Sequence, residues 1–542
     1  MDTFNETSRK LLLLVLLGTL AVAGCDSFLS VPENPNEPDR ERALSNPEDV
    51  ETLIGGSFFQ LWSGWQLFNP QMGLINSASS WRSGSFLWGM EQLGKQPREA
   101  WPNSPSSRIS GFLEGPWGGM YGPISSVNDG LLAIEQQGVE IGEEGARNAR
   151  ARAFAKFVQG TAHANLAVMF DRAFIVTENS DAATDPANAA GNLELQPYAV
   201  VMDSAQAMLS EAVQIAESNS FTLEGDWING HPMSSGEFVR FIKSMKARKM
   251  AQVARTPEER ADVSNGGLVD WSKVMQLAEE GIQDNFFVQG DGLGGDKWGM
   301  FNMKMLAQSD GWGRLSYYLV GPADNSGQFQ EWLETPPEER NRFLVETEDR
   351  RIVGADSATA RGKYAYYLPG FKSNYAWLRY TTGEMDIVND GIGSYNGPNL
   401  QGPLAFMMKA EMDMLRAEGM LRTNGSKSQV AELINRTRVE RGELPPASTS
   451  NPRGSWEDQP SNGHPRNSYE QASLWAMMKY EKQLETFNTA TALHYTDDRG
   501  WQDLAENTPL QFPLPAQELN LLERDIYTFG GGGEWSAAAG WQ

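Results

Sequence analysis

The chain has 542 residues, with 70 acidic against 45 basic side chains, a formal net charge of −25, 17 tryptophans and a single cysteine. Such acidity speaks against nucleic-acid and anionic-lipid surfaces as partners, because both need clustered Lys and Arg. One thiol excludes an internal disulfide framework, and the length exceeds one ordinary core, although helical arrays reach it as a single body.

The first element is MDTFNETSRKLLLLVLLGTLAVAGC, in which Arg9 and Lys10 precede the apolar run Leu11–Ala23. That run falls short of the about 20 residues that span a bilayer and fits a secretory leader over residues 1–24. Val22-Ala23-Gly24-Cys25 resembles a bacterial lipobox, which implies acylation of the Cys25 thiol and a new N-terminus there. Two or more acyl chains anchor stably where one does not. Residues 25–45 form the lipidated N-terminus and tether, with three prolines in Ser27–Asp39. Residues 46–542 are expected to form a single helical domain.

Asn46-Pro47-Glu48-Asp49 reads as a helix start, followed by Val50, Leu53, Ile54, Phe58 and Leu61 at helical spacing. Glu144–Phe170 carries one apolar stripe through Phe154, Val158, Ala162, Leu166 and Phe170. Tyr198–Glu217, Phe238–Val253, Trp271–Ile282, Leu404–Leu421, Gln429–Glu440 and Tyr469–Phe487 continue the pattern. Between them, 69–128, 285–335, 380–402 and 445–468 are rich in Gly, Asn, Pro and Trp and read as irregular insertions. No strand-rich block with sustained alternation is visible, so the fold class expected is all-α, built of paired helices.

Several segments resemble the SusD/RagB family of outer-membrane nutrient-binding lipoproteins. They are CDSFLSVPENPNEPD, ARARAFAKFVQGTAHANLAVMFDRAFIV, KAEMDMLRAEGM, VAELINRTRVERG, YEKQLETFNTATALHYTDDRGWQDL and FPLPAQEL, in the family's order. The resemblance implies a right-handed superhelical scaffold of tetratricopeptide-like helix pairs, with the irregular insertions packed on one side as a binding face. Pro515 and Glu518 would close the fold. It also implies a cell-surface, lipid-anchored location, a TonB-dependent SusC-like β-barrel partner, and a glycan or oligopeptide ligand. Phe170-Asp171-Arg172-Ala173 departs from the family in lacking the usual Gly and Pro of that turn.

Sugar recognition uses flat rings stacked on C–H faces, with guanidinium and amide groups meeting hydroxyls. Trp62, Trp65, Trp81, Trp88, Trp101 and Trp117 crowd the first third, and Trp298, Trp312, Tyr317 and Tyr318 sit in a Gly-rich insertion. Trp62 and Trp65 follow the first helix and read as core, as does Trp271. Rings in polar loops are the better platform candidates. With the family's usual contact regions, this nominates Trp81, Arg82, Trp88, Trp101, Trp298, Trp312 and Tyr317 as ligand-binding residues.

The competing class is a secreted glycoside hydrolase, which needs two carboxylates across the scissile bond. Glu411/Asp413/Glu418, Glu481/Glu485 and Asp497/Asp498 are the local acidic clusters, with Lys409, Arg416, Lys479 and Lys482 at hand to pair with them. His163, His231, His464 and His494 are dispersed without metal-ligand spacing. QGDGLGGDKWG is not a phosphate loop, and its Asp291 and Asp296 do not follow a calcium-loop pattern. The expectation is therefore a non-enzymatic binder with no cofactor and no metal.

Overall fold

The fold is described from a computed structural model, over residues 44–65, 98–107, 110–180, 193–292, 296–299, 315–336, 339–353, 362–367, 375–377, 401–458, 472–487, 489 and 493–531. Cys25 with its leader and the tether through residue 43, and Trp81, Arg82, Trp88 and Trp312, lie outside the described residues. Helix α1 (Pro47–Trp65) begins at Asn46, whose Oδ1 accepts the Glu48 N–H at 3.0 Å, with Glu48 and Asp49 in the first turn. The cap satisfies an orphaned donor, and the acids sit at the positive end of the helix dipole.

Helix α2 (Gly111–Glu135) overturns the expectation of irregular structure through residue 128, although it contains Pro116 and Pro123 and many glycines. Such a composition disfavours an isolated helix. Packing decides otherwise. A Cβ on Gly64 would stand 2.5 Å from the Gly119 oxygen, and one on Gly130 would stand 2.5 Å from Ile54 Cγ1. The missing side chains let α1 and α2 cross almost backbone to backbone.

Helix α3 (Asn148–Met169) is buried along nearly its whole length and packs on α1, α2, α4 (Tyr198–Ser218) and α5 (Ser235–Gln252). Gly160 admits α4 in the same way, since a Cβ there would meet the Ala205 oxygen at 2.9 Å. Ser234 and Glu237 form a reciprocal capping box at the start of α5, and Asp270 caps α6 (Trp271–Glu279). Two short helices, α7 (Tyr317–Val320) and α8 (Gln328–Glu334), lie in the mid-chain insertion. Then come α9 (Lys409–Arg422), α10 (Lys427–Arg438), α11 (Leu474–Thr486), α12 (Leu493–Trp501) and α13 (Ala516–Leu521). From α1 to α6 each helix rests on its predecessor; α6 then meets α9, and α9, α10 and α11 pack together. This serial stacking is the logic of helical repeats, and the fold is mostly helical.

The Leu404–Leu421 segment, expected as one helix, is divided. The strand Phe286–Asp291 recruits Gln401–Met407 as an antiparallel partner, with Asp291 opposite Gln401 and Phe286 opposite Met407. The helix starts only at Lys409, whose N–H is capped by Asn285 Oδ1 at 3.0 Å. Three further antiparallel pairs are short: Arg172–Phe174 with Leu195–Pro197, Thr222–Leu223 with Met233–Ser234, and Ala365–Tyr367 with Tyr375–Trp377.

The largest apolar core joins α1–α6 to the strand pair; a second forms around Tyr317, Phe329 and Phe343, and a third between α9, α10 and α11. Near the C-terminus, Pro515 precedes α13, and Glu518 Oε2 accepts the Trp117 Nε1–H at 3.2 Å, which ties that end to α2. Asp171, in the departed turn, accepts the Tyr527 hydroxyl at 2.7 Å; burial pushes its carboxyl up to about 6.

Candidate functional site

Three long segments leave or re-enter the described fold beside one another. Residues 66–97 follow Trp65 at the end of α1, 300–314 follow Gly299, and 378–400 lead into Gln401. Their roots are pinned by a buried aromatic layer. Trp62 Nε1 donates to the Gly299 carbonyl at 2.8 Å, and the Trp298 ring lies 5.7 Å from Trp62, 5.0 Å from Phe59 and 6.1 Å from Phe58. Phe406 closes the layer at 5.4 Å from Trp62. The Trp298 N–H donates to Asp291 Oδ1 at 2.6 Å, and its carbonyl accepts the Asp291 N–H at 3.1 Å. Asp291 is itself the strand partner of Gln401, so the third root joins the other two.

Beneath this layer the polar groups of α5 are unequally satisfied. Arg248 holds Glu411 bidentately at 2.7 and 2.5 Å and donates to the Phe406 carbonyl at 2.9 Å. Its neighbour Lys249 is 4 % exposed, with its Nζ 3.0 Å from Gln252 Oε1 and 5.7 Å from the centre of the Trp65 ring. Burial first, and then the charge of Arg248, pull the Lys249 ammonium down to about 7.

Of the residues nominated from sequence, Trp101, Trp298 and Tyr317 are placed in the interior, which corrects their assignment to an open ligand face. Trp101 is 1 % exposed and packs on Phe112 and Phe512. Trp298 belongs to the anchoring layer. Tyr317 stacks 4.3 Å from Phe343, donates to the Phe343 carbonyl at 2.8 Å and accepts its N–H at 3.0 Å. Large insertions need their own packed centres, and these rings supply them. Among the described residues nine tryptophans are buried, Trp62, Trp65 and Trp271 among them as expected.

No family model and no curated protein matches the sequence. Among solved structures, a SusD superfamily protein from Bacteroides vulgatus aligns with a TM-score of 0.55 at 12% identity, over 88% of this chain and 97% of that one. One from Parabacteroides distasonis gives 0.54 at 12%, over 90% and 99%. A laminarin-binding SusD-like protein gives 0.50 at 14%, over 90% and 99%. The chain has the SusD-like fold.

Within that SusD-like scaffold the acidic clusters are structural. Glu411 is held by Arg248, and Asp413 by Lys409 and Arg436. Glu418 lies between Arg260 at 2.7 Å, Arg422 at 3.0 Å and the Trp501 indole at 3.0 Å. Burial alone would raise the Glu418 carboxyl, but Arg260 and Arg422 outweigh it and hold the group far below the usual range. Glu481 and Glu485 clasp Arg351 at 2.5 and 3.1 Å, with Asp349 on its other side at 2.7 Å. Asp497 pairs with Arg260 and Lys482, and Asp498 accepts from Gln483. All seven clustered carboxylates are buried, with no open face across which a glycosidic bond could be placed.

The described histidines are held by packing. His163 Nδ1 donates to the Gln159 carbonyl at 2.8 Å while Nε2 accepts the Val176 N–H at 3.1 Å, and burial lowers the ring to about 4. His494 is buried beside Phe487, and His231 stacks on Phe286 at 4.4 Å; His464 lies outside the described residues. Among the described residues no three His, Cys, Asp or Glu side chains group as metal ligands.

Proposed function

We propose that this chain is a non-catalytic glycan-binding lipoprotein of the outer membrane. Acyl chains on Cys25 would anchor it, and captured oligosaccharide would pass to a TonB-dependent SusC-like β-barrel. The observation that carries the binding reading is the shared root of segments 66–97, 300–314 and 378–400 at the Trp62–Trp298–Phe406 layer. Rigid anchoring lowers the ordering cost of a binding surface. Trp81, Trp88 and Trp312 would supply stacking faces and Arg82 a donor for sugar hydroxyls, above the layer that Trp298 forms with Trp62 at the segments' roots. The likeness to a laminarin-binding protein makes β-glucan the first ligand class to try. No helix among the described residues is long and apolar enough to cross a membrane, which fits attachment through lipid.

The test is titration of the purified protein with laminarin oligosaccharides and, separately, oligopeptides, followed by tryptophan fluorescence, with glycan lengths checked after long incubation. Saturable quenching by glycan with unchanged chain lengths supports the reading. Quenching by peptides alone would move the ligand class, and shortened glycans would make the protein a hydrolase. Cys25→Ser should shift the protein to the soluble fraction; retention in membranes would overturn the anchor.

A further inference from the structure

A separate cleft of about 330 Å³ opens between residues 255–258, just past α5, and the irregular segment 502–510. Two arginines form its floor, Arg255 at 2 % and Arg499 at 1 % exposure. Elsewhere the buried arginines Arg248, Arg260 and Arg351 each grip carboxylates. This pair does not. Arg255 donates to the carbonyls of Ala167, Val168 and Phe170, and Arg499 to those of Val168, Gln252, Ala254 and Leu510. Among the described residues no carboxylate takes a hydrogen bond from either guanidinium, and Arg255 Nε is buried without a partner. Glu259 and Asp171 are the nearest acids, but both turn to other donors: Glu259 to the Tyr198 hydroxyl and the Arg255 N–H, Asp171 to the Tyr527 hydroxyl.

Helix-end carbonyls offset part of this charge, since Ala167, Val168 and Gln252 close α3 and α5. The offset is incomplete: burial, and after it the charge of Arg255, draw Arg499 down to about 9. The wall is polar and set in unusual backbone, with Gln502 and Asn507 both left-handed at φ 65° and 64°. Exposed Glu258 and Glu506 stand at the lip.

We propose that this cleft binds a single carboxylate, as borne by a uronic acid or by a peptide C-terminus. Arg255 and Arg499 would provide the positive floor, and Gln502 and Asn507 the hydrogen-bonding wall. The acidic lip selects against polyanions. Binding there needs no covalent step.

The experiment is calorimetry and thermal shift on the mature chain with glucuronate, glycylglycine, glucose and sulfate. Saturable binding of glucuronate or glycylglycine is expected, and which one responds names the source of the carboxylate. Glucose should give no response and sulfate a response about tenfold weaker. Gln502→Glu puts a charge on an exposed wall position and should weaken carboxylate binding about tenfold, while Glu506→Gln should tighten it a few fold. Unchanged melting of both variants without ligand verifies their fold. The proposal is overturned if neither wild type nor Glu506→Gln responds saturably to a carboxylate, if Gln502→Glu has no effect, or if sulfate binds as tightly.

Discussion

Lys249→Met should stabilise the protein at neutral pH, against the usual direction of a core substitution. The ammonium lies buried against a neutral amide and the Trp65 ring, and it is brought from 10.5 down to about 7. Because the folded pKa is below the unfolded one, the unfolded chain binds more protons between about pH 7 and 10.5, and stability rises with pH through that window. At about 1.4 kcal/mol per pKa unit, holding Lys249 inside costs about 4 kcal/mol at pH 7. Methionine keeps the unbranched shape but gives up the amide bond and the ring contact, each about 1 kcal/mol. A net gain of about 2 kcal/mol at pH 7 should therefore shrink to nothing, or reverse, by about pH 10.5. Guanidinium denaturation followed by circular dichroism at several pH values gives the difference between variant and wild type. Taking that difference cancels Lys246, which burial lowers to about 8. A variant less stable at pH 7, or a difference that does not change with pH, would refute the reasoning and imply an acidic partner for Lys249.

Trp62→Phe removes the bond to the Gly299 carbonyl and should cost about 1–3 kcal/mol; glycan affinity should fall with it, read by titration, because two roots of the binding segments come loose. Gly119→Ala places a Cβ 2.7 Å from Gly64 Cα, where backbone cannot yield, and should cost about 1–3 kcal/mol in a denaturant melt. Glu418→Gln leaves Arg260, Arg422 and Lys482 with Asp497 as their nearest charge and should cost about 3–5 kcal/mol near neutrality. Since the folded pKa of Glu418 is depressed, its stabilisation is present above the unfolded value of about 4.3 and lost as pH falls toward the folded one, so wild type and variant should converge in acid.

The helices legible in sequence are those whose apolar stripes face one neighbour or whose ends are capped. Asn46-Pro47-Glu48-Asp49 announced α1, and the Phe154–Phe170 stripe announced α3. Helix α2 was hidden because its glycines have meaning only against Gly64 and Ile54, partners supplied by α1. The strand Gln401–Met407 was hidden because its complement lies more than a hundred residues earlier, at Phe286–Asp291. The same limit applies to the tryptophans. Trp101 sits in a polar loop, which reads as exposed, yet its N–H bonds the Phe529 carbonyl and its carbonyl accepts the Thr528 hydroxyl, so the C-terminal segment covers it. The Arg255–Arg499 cleft could not be seen either, because each guanidinium is ordinary until its lack of a carboxylate is known.

Among the buried polar groups left without a partner, Gln252 at the end of α5 stands between the two candidate sites. Through most of the interior, charge is paired closely, as at Arg248–Glu411, Arg260–Glu418 and Arg351–Glu481. Gln252, at the last turn of α5, is different. Its Oε1 accepts Lys249 beneath Trp65, its carbonyl accepts Arg499 in the cleft floor, and its Nε2 is buried without a partner. One amide thus touches the support of the insertion roots on one side and the carboxylate cleft on the other. Local rules of polar satisfaction tend to be broken where a site is held ready. At Gln252 such a breach falls at the C-terminal end of α5, between the aromatic anchor and the arginine floor, while the clustered acids of α9, α11 and α12 keep their partners.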